Sequence, residues 1–235
     1  SDLSPFLIQA LIATEDERFF NHSGIDFIAL FRVAKGILTG KSSLGGGSTI
    51  TQQLAKMFFS KKPRSKIDRV KQKFKEWVIA VRIERKYSKE EIISMYLNRF
   101  DFLNLAVGIK SAAKIYFNSN PKDLTIEQAA TLVGMAKNPS LYNPLKRIEK
   151  TKKRRNIVFQ QMTRNNYLKK KIADSLSIMP IILSYKKVDH NKGKATYFRE
   201  YLRGFLSDWA ADTEAETGEK YNIYKDGLKV YTTID

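Results

Sequence analysis

The sequence predicts a mainly α-helical protein with a small α+β tail. Apolar residues recur at helical spacing through most of the first 170 residues, Ser and Thr caps open several of the segments, and strand-prone runs gather at the far end, 221–234. With 43% hydrophobic and 11% aromatic side chains in 235 residues, the chain can build one sizeable core and is not disordered. No apolar run approaches the roughly 18–20 residues that cross a bilayer. The absence of cysteine excludes a disulfide framework, a thiolate nucleophile and a Cys-based metal site. The chain begins at Ser1 without Met or a signal-type apolar region, so it reads as a piece of a longer protein.

The first helix enters at Ser4-Pro5, a cap followed by Pro at the first helical position, and its apolar pattern runs to Ala13. It ends on Glu15-Asp16-Glu17-Arg18-Phe19-Phe20-Asn21-His22-Ser23-Gly24, which gathers carboxylates, an aromatic pair and a histidine. A carboxylate at the end of a buried helix is a candidate general base or acid; an ordinary solvated helix end also fits these ten residues alone. Residues 25–38 are apolar except for Asp26, Arg32 and Lys35, which suits either a buried helix or a face that dips into a membrane surface.

Residues 39–47 form a glycine-rich loop, and a helix opens after it with Thr49 and Gln52 spaced as a capping box. On its wheel Ser48, Thr49, Gln52, Gln53 and Lys56 make a polar stripe opposite Ile50, Leu54 and Phe58, at a helix start where anions are favoured. A long helix over about 66–86 follows, with Phe74, Trp77, Val78 and Val81 as its expected core stripe. Arg69, Gln72, Lys73 and Glu76 share another face, with Glu76 the lone acid. Ser88 to Glu91 is a capping box for a helix at 90–98, and further helices are expected at 105–117, at 125–137 and around Arg154-Arg155. After about 175 the character changes: a short apolar run at 179–183, a helix at 197–211, and a hairpin at 221–234 turning at Asp226-Gly227.

The net charge of +18 is unevenly spread. Residues 1–60 are neutral, whereas 61–89 carry twelve basic and three acidic side chains and 146–171 carry eleven and one. Such blocks are solvated faces or attract polyanions: nucleic acid, anionic headgroups or a diphosphate.

Taken together, these motifs resemble the peptidoglycan glycosyltransferases of glycosyltransferase family 51, which occur as the N-terminal module of class A penicillin-binding proteins and as monofunctional transglycosylases. Five signatures stand in order: Glu15 to Gly24 resembles E-D-x-x-F-x-x-H-x-G, Gly47 to Gln53 matches the second in full, and Lys73 to Glu76 resembles R-K-x-x-E. Lys89 to Asn98 resembles the fourth and Arg154 to Val158 the fifth. The resemblance covers about residues 4–165. Gln72 stands where the third signature has arginine, and Asp68 where a basic residue eight positions before the second glutamate is usual; Arg64 or Arg69 supplies that charge.

The resemblance implies a lysozyme-like helical glycosyltransferase domain over residues 1–170. Residues 171–235 then form an α+β linker leading to an absent transpeptidase, because Gly227 to Asp235 resembles the strand that begins this transition. The S-x-x-K, S-x-N and K-T-G motifs do not occur as a set, so no penicillin binding is expected of this stretch. The implied reaction joins lipid II units into β-1,4 glycan with inversion and releases undecaprenyl diphosphate. Inversion separates a base on one face of the donor sugar from leaving-group assistance on the other.

By resemblance Glu15 is the base and Glu76 sits by the diphosphate, with a divalent cation, Mg²⁺ by its chemistry, as a possible bridge. Ser48, Gln52, Gln53, Lys56, Arg64, Arg69, Lys73 and Lys75 bind substrate, while His22 and Asp16 support the Glu15 loop. The implied partners are lipid II, the growing lipid-linked glycan, an anionic membrane surface and moenomycin-type inhibitors, not nucleic acid. The implied location is the extracytoplasmic (periplasmic) face of the bacterial cytoplasmic membrane, with the anchor outside this stretch. The nearest rival is a lysozyme-like hydrolase or lytic transglycosylase, which has no diphosphate to hold and no need of the 48–53 signature. A basic module binding nucleic acid or membrane explains +18 but not the neutral, motif-rich first 60 residues.

Overall fold

Ten α-helices form among the residues that the computed structural model describes, which are 2–40, 46–59, 63, 65–185, 196–224 and 226–232. They fall into two compact units, Ser1–Lys186 and Lys187–Asp235. In the first unit α1 (Pro5–Glu15) buries Leu7, Ala10, Leu11, Ile12 and Ala13, a helix with little polar surface and therefore a central one. It packs against α7 (Ile126–Ala136) and α8 (Ile148–Arg164). Ser4 precedes Pro5 as expected, but its hydroxyl donates to the Leu124 carbonyl (2.9 Å) and does not cap its own helix.

The helix α3 (Ile50–Phe59) packs on α4 (Lys66–Lys86) and α5 (Lys89–Arg99), and Ile50 and Leu54 are fully buried between them. Glu84 of α4 accepts from Thr51 Oγ1 (2.5 Å) and pairs with Lys89 of α5 (2.7 Å). The same Lys89 ammonium donates to the His22 carbonyl (2.7 Å) and lies 4.2 Å from the centre of the Phe19 ring. One partly buried ion pair thus ties α3, α4, α5 and the loop after α1 together.

Several sequence expectations change. On α4 the buried positions are Glu76 and Ala80, whereas Phe74 and Val78 are 58% and 54% exposed. The predicted core stripe is thus only half buried, with Trp77 and Val81 partly covered, because α4 presents its polar face to the Ser48–Gln52 edge of α3. The helix α2 (Phe27–Leu38) is likewise not a buried helix: Phe27, Ile28, Phe31 and Leu38 are exposed. The segment expected to be helical from 105 begins later, as α6 (Ile109–Phe117), because Leu103, Asn104 and Leu105 take positive φ and an isolated bridge pairs Asp101 with Val107. A helix absent from the sequence reading, α9 (Lys170–Ile178), packs on α8; the buried Arg155 donates to the Leu176, Met179 and Pro180 carbonyls at its end.

The second unit contains α10 (Thr196–Thr217), longer than the expected 197–211. The hairpin at 221–234 does not form among the described residues. Instead Asp226 bonds back to Asn222, its N–H to the Asn222 carbonyl (3.1 Å) and its carboxylate to the Asn222 N–H (2.6 Å). That closes a local turn in place of a ladder, in keeping with the marginal stability of isolated two-stranded hairpins.

Candidate active site

The loop after α1 is built around Asp16. Its carboxylate accepts from His22 Nε2 (3.0 and 3.1 Å) and from the Ile50 N–H at the start of α3 (3.0 Å). His22 Nδ1 accepts from the Gly24 N–H (3.2 Å), which puts the ring proton on Nε2, toward Asp16. Both groups are buried and fully engaged, and they fix the turn that carries Glu15. The expected capping box at Thr49 is half present. Thr49 Oγ1 accepts from the Gln52 N–H (3.1 Å), but the Gln52 side chain turns away, donating to the Gly24 carbonyl (3.2 Å) and accepting from Lys73 (3.2 Å).

Glu15 lies at the end of α1 with one oxygen accepting from Gln53 Nε2 (2.9 Å) and the other 3.8 Å from Arg154 Nη2. The Gln53 amide is oriented in turn by Tyr96, whose hydroxyl donates to its Oε1 (3.1 Å). Burial, helped by the nearby Glu15 charge, pushes the Tyr96 hydroxyl well above the ordinary phenol range, so it keeps the proton it donates. Arg154 is held against α7 by the Gly134 carbonyl (3.4 Å) and over the Tyr142 ring. A carboxylate with both oxygens located by neighbours and a neutral amide beside it is arranged to take a proton from a positioned hydroxyl.

A cleft of about 1280 Å³ opens between α3 and α4. Ser48, Gln52, Gln53, Lys56, Arg69, Lys73 and Glu76 all line it, as do Lys66 and Lys137, which sequence reasoning did not single out. Its apolar wall is Val70, Phe74 and Trp77. At its base the Lys73 ammonium donates to Ser48 Oγ (2.9 Å), Gln52 Oε1 (3.2 Å) and Glu76 Oε2 (3.4 Å), using its three protons. Gln72 donates to the other Glu76 oxygen (3.3 Å). Lys75 is exposed and does not line this cleft, and Arg64 lies outside the described residues. Among the described residues no group of three or more His, Asp or Glu side chains is placed to hold a metal ion, so a cation here would draw one carboxylate, Glu76, from the protein. Mg²⁺ commonly binds so, completing its shell with phosphate oxygens and water.

A second, smaller cavity of about 290 Å³ adjoins the first. Ser48 lines both, while Glu15 lines only the smaller and Gln53 only the larger, so the Glu15–Gln53 hydrogen bond joins the two. The third and fifth signatures were visible in the sequence. The approach of Arg154 to Glu15 was not, because it depends on how α8 crosses α1.

The family description Transglycosylase matches residues 1–163. Among curated proteins, the chain is 36% identical to penicillin-binding protein 1A of Vibrio cholerae, over 97% of this chain and 26% of that protein. It is 35% identical to penicillin-binding protein 2a of Streptococcus pneumoniae, over 100% and 31%. It is 38% identical to penicillin-binding protein 1A/1B of Bacillus subtilis, over 97% and 24%. The chain thus spans a quarter to a third of the length of these relatives. Among solved structures, penicillin-binding protein 1A from Haemophilus influenzae aligns over 71% of this chain and 21% of that one, at 23% identity and a TM-score of 0.41.

Proposed function

The chain belongs to the transglycosylase family, and from that premise we propose that it polymerises lipid II into β-1,4 glycan strands for the bacterial cell wall. The observation that carries this reading is a carboxylate base beside a cationic cleft, joined by one hydrogen bond from Gln53 to Glu15. In the proposed reaction the 4-hydroxyl oxygen of the acceptor sugar attacks the donor's anomeric carbon from the face opposite the diphosphate. The hydroxyl proton passes to Glu15, the carbon–oxygen bond to the diphosphate breaks, and the diphosphate leaves with the electron pair. Inversion follows from the attack geometry.

Lys56, Arg69 and Lys73 line the cleft as cations for the diphosphate, where fixed charge stabilises the leaving group as it develops. Ser48 and Gln53 hydrogen-bond the donor from the α3 side, and Gln52 acts beneath them by holding Lys73 and Gly24. Asp16 and His22 serve as supports for the base. A divalent cation, Mg²⁺ in this reading, would be held by Glu76 with the diphosphate and would supply further charge neutralisation. A glycan hydrolase needs a base and water but no such cationic cleft, which favours transfer over cleavage. Moenomycin-type phosphoglycolipids would compete for the same cleft.

The exposed Phe27, Ile28, Phe31 and Leu38 of α2 are an apolar face for an anionic membrane surface. Among the described residues no helix is long and apolar enough to cross a membrane. The proposed place of action is the extracytoplasmic face of the cytoplasmic membrane. Incubation with lipid II on the one hand and finished glycan on the other tests the reading: glycan growth from lipid II is expected, and shortening of finished glycan without polymerisation would overturn it.

A further inference from the structure

Tyr96 of α5 is among the largest fully buried side chains, and its ring stacks on Phe100 with centroids 6.0 Å apart. Packing accounts for the ring but not for the hydroxyl, since a phenylalanine would fill the same space without burying a polar group. The hydroxyl points toward the site. It donates to Gln53 Oε1 (3.1 Å), and Gln53 Nε2 donates in turn to Glu15 Oε2 (2.9 Å).

A half-turn about its last torsion makes a glutamine amide present either its NH2 or its carbonyl to a given neighbour. Tyr96 decides between the two. Burial, helped by the Glu15 charge, keeps its hydroxyl protonated, so it donates to the amide oxygen and leaves the NH2 for Glu15. The reversed amide would set a carbonyl oxygen against Glu15. That oxygen repels the ionised carboxylate and hydrogen-bonds only the protonated acid, the form that cannot act as a base. In the observed orientation Oε2 is occupied, and Oε1 is left for the incoming proton, 3.8 Å from Arg154 Nη2 and beyond hydrogen-bond reach of it.

We propose that Tyr96 is a positioning residue for the general base: its hydroxyl fixes the Gln53 amide so that Glu15 always meets an N–H. The inference rests on the transferase reading above. Tyr96 lines neither cavity, so it acts through Gln53 and not on the substrate.

Steady-state polymerisation of lipid II by Tyr96→Phe, Gln53→Ala and the double variant forms a mutant cycle that tests the assignment. Tyr96→Phe is expected to lower kcat roughly 3- to 10-fold, the effect of one neutral hydrogen bond, with the KM for lipid II unchanged. Made in the Gln53→Ala background, the same substitution should change kcat by less than about 2-fold, because the amide it orients is gone. The ring packing is retained, so the thermal midpoint of Tyr96→Phe should fall by no more than about 4 °C. A kcat equal to the parent's, a change confined to KM, an equal kcat loss with and without Gln53, or a larger fall in the midpoint would overturn the assignment. If the parent protein makes no product from lipid II, the transferase reading itself fails; if it does and Tyr96→Phe matches it, the failure is confined to Tyr96.

Discussion

Gly24 leaves the Glu15 loop almost no freedom. It takes φ +92°, and a Cβ added there would lie 2.9 Å from both the carbonyl carbon and oxygen of Ala80 on α4. Its carbonyl also accepts from Thr49 Oγ1 (2.7 Å) and Gln52 Nε2 (3.2 Å). Gly24→Ala is therefore expected to destabilise the fold by about 2 kcal/mol, measured by denaturant unfolding, with glycan synthesis falling in parallel. Lys73→Met should act differently. It removes the cation from a buried Glu76 and from Ser48 and Gln52, yet Lys73 itself is partly exposed, so the stability loss should be near 1 kcal/mol while kcat falls further, by at least 10-fold. Glu15, Gln53 and Glu76 were legible as candidates because signatures and helical spacing place them in the sequence. Arg154 and Tyr96 stood out only as members of the fifth and fourth signatures and Gln161 not at all, because their link to Glu15 or its cavity arises only where α8 and α5 meet α1 and α3.

At the scale of elements, α4 shows where periodicity misleads. Its apolar residues repeat at helical spacing, and the sequence reading assigned them to the core, but the buried line runs through Glu76 and Ala80. Amphipathic spacing establishes that a helix has two faces; it does not say which face meets protein when the other borders a ligand cleft or lies open. Val78→Ser should accordingly change stability by no more than about 0.5 kcal/mol, whereas Ala80→Leu should cost about 1–3 kcal/mol by overpacking; thermal melts of the two separate these cases.

The start of α2 carries a pH dependence. Burial works against ionisation of Asp26, but the Arg18 hydrogen bond, the Ala29 N–H (2.8 Å) and the Arg18 charge outweigh it and hold the carboxyl below its ordinary value of 3.8. A carboxyl depressed by folding stabilises the native state above its unfolded value and loses that contribution as pH falls through the folded one. Asp26→Asn should thus destabilise by about 1–2 kcal/mol at neutral pH, and the gap from the parent should close as the medium is acidified below 3.8. Denaturant midpoints across pH measure it.

Across the whole molecule, the two units differ in what the sequence revealed. The helical content, the neutral first 60 residues and the basic blocks were readable, because caps, spacing and composition are local properties. The helix α9 was missed since its anchoring comes from Arg155, whose guanidinium reaches its last carbonyls only after α8 is packed. The tail hairpin was expected from Asp226-Gly227, but a turn closed by Asn222 and Asp226 takes its place among the described residues. Because the buried core cluster of the described residues lies within the first unit, a chain ending at residue 186 should unfold in one cooperative transition, as followed by thermal melts.

The central claim is that Glu15 takes the acceptor's proton. Its most direct test is the rate of glycan polymerisation from lipid II by Glu15→Gln, with folding checked by circular dichroism. The account predicts a native fold and a rate lowered by at least about 100-fold, the contribution of a positioned general base. A variant that polymerises at the parent's rate would contradict it.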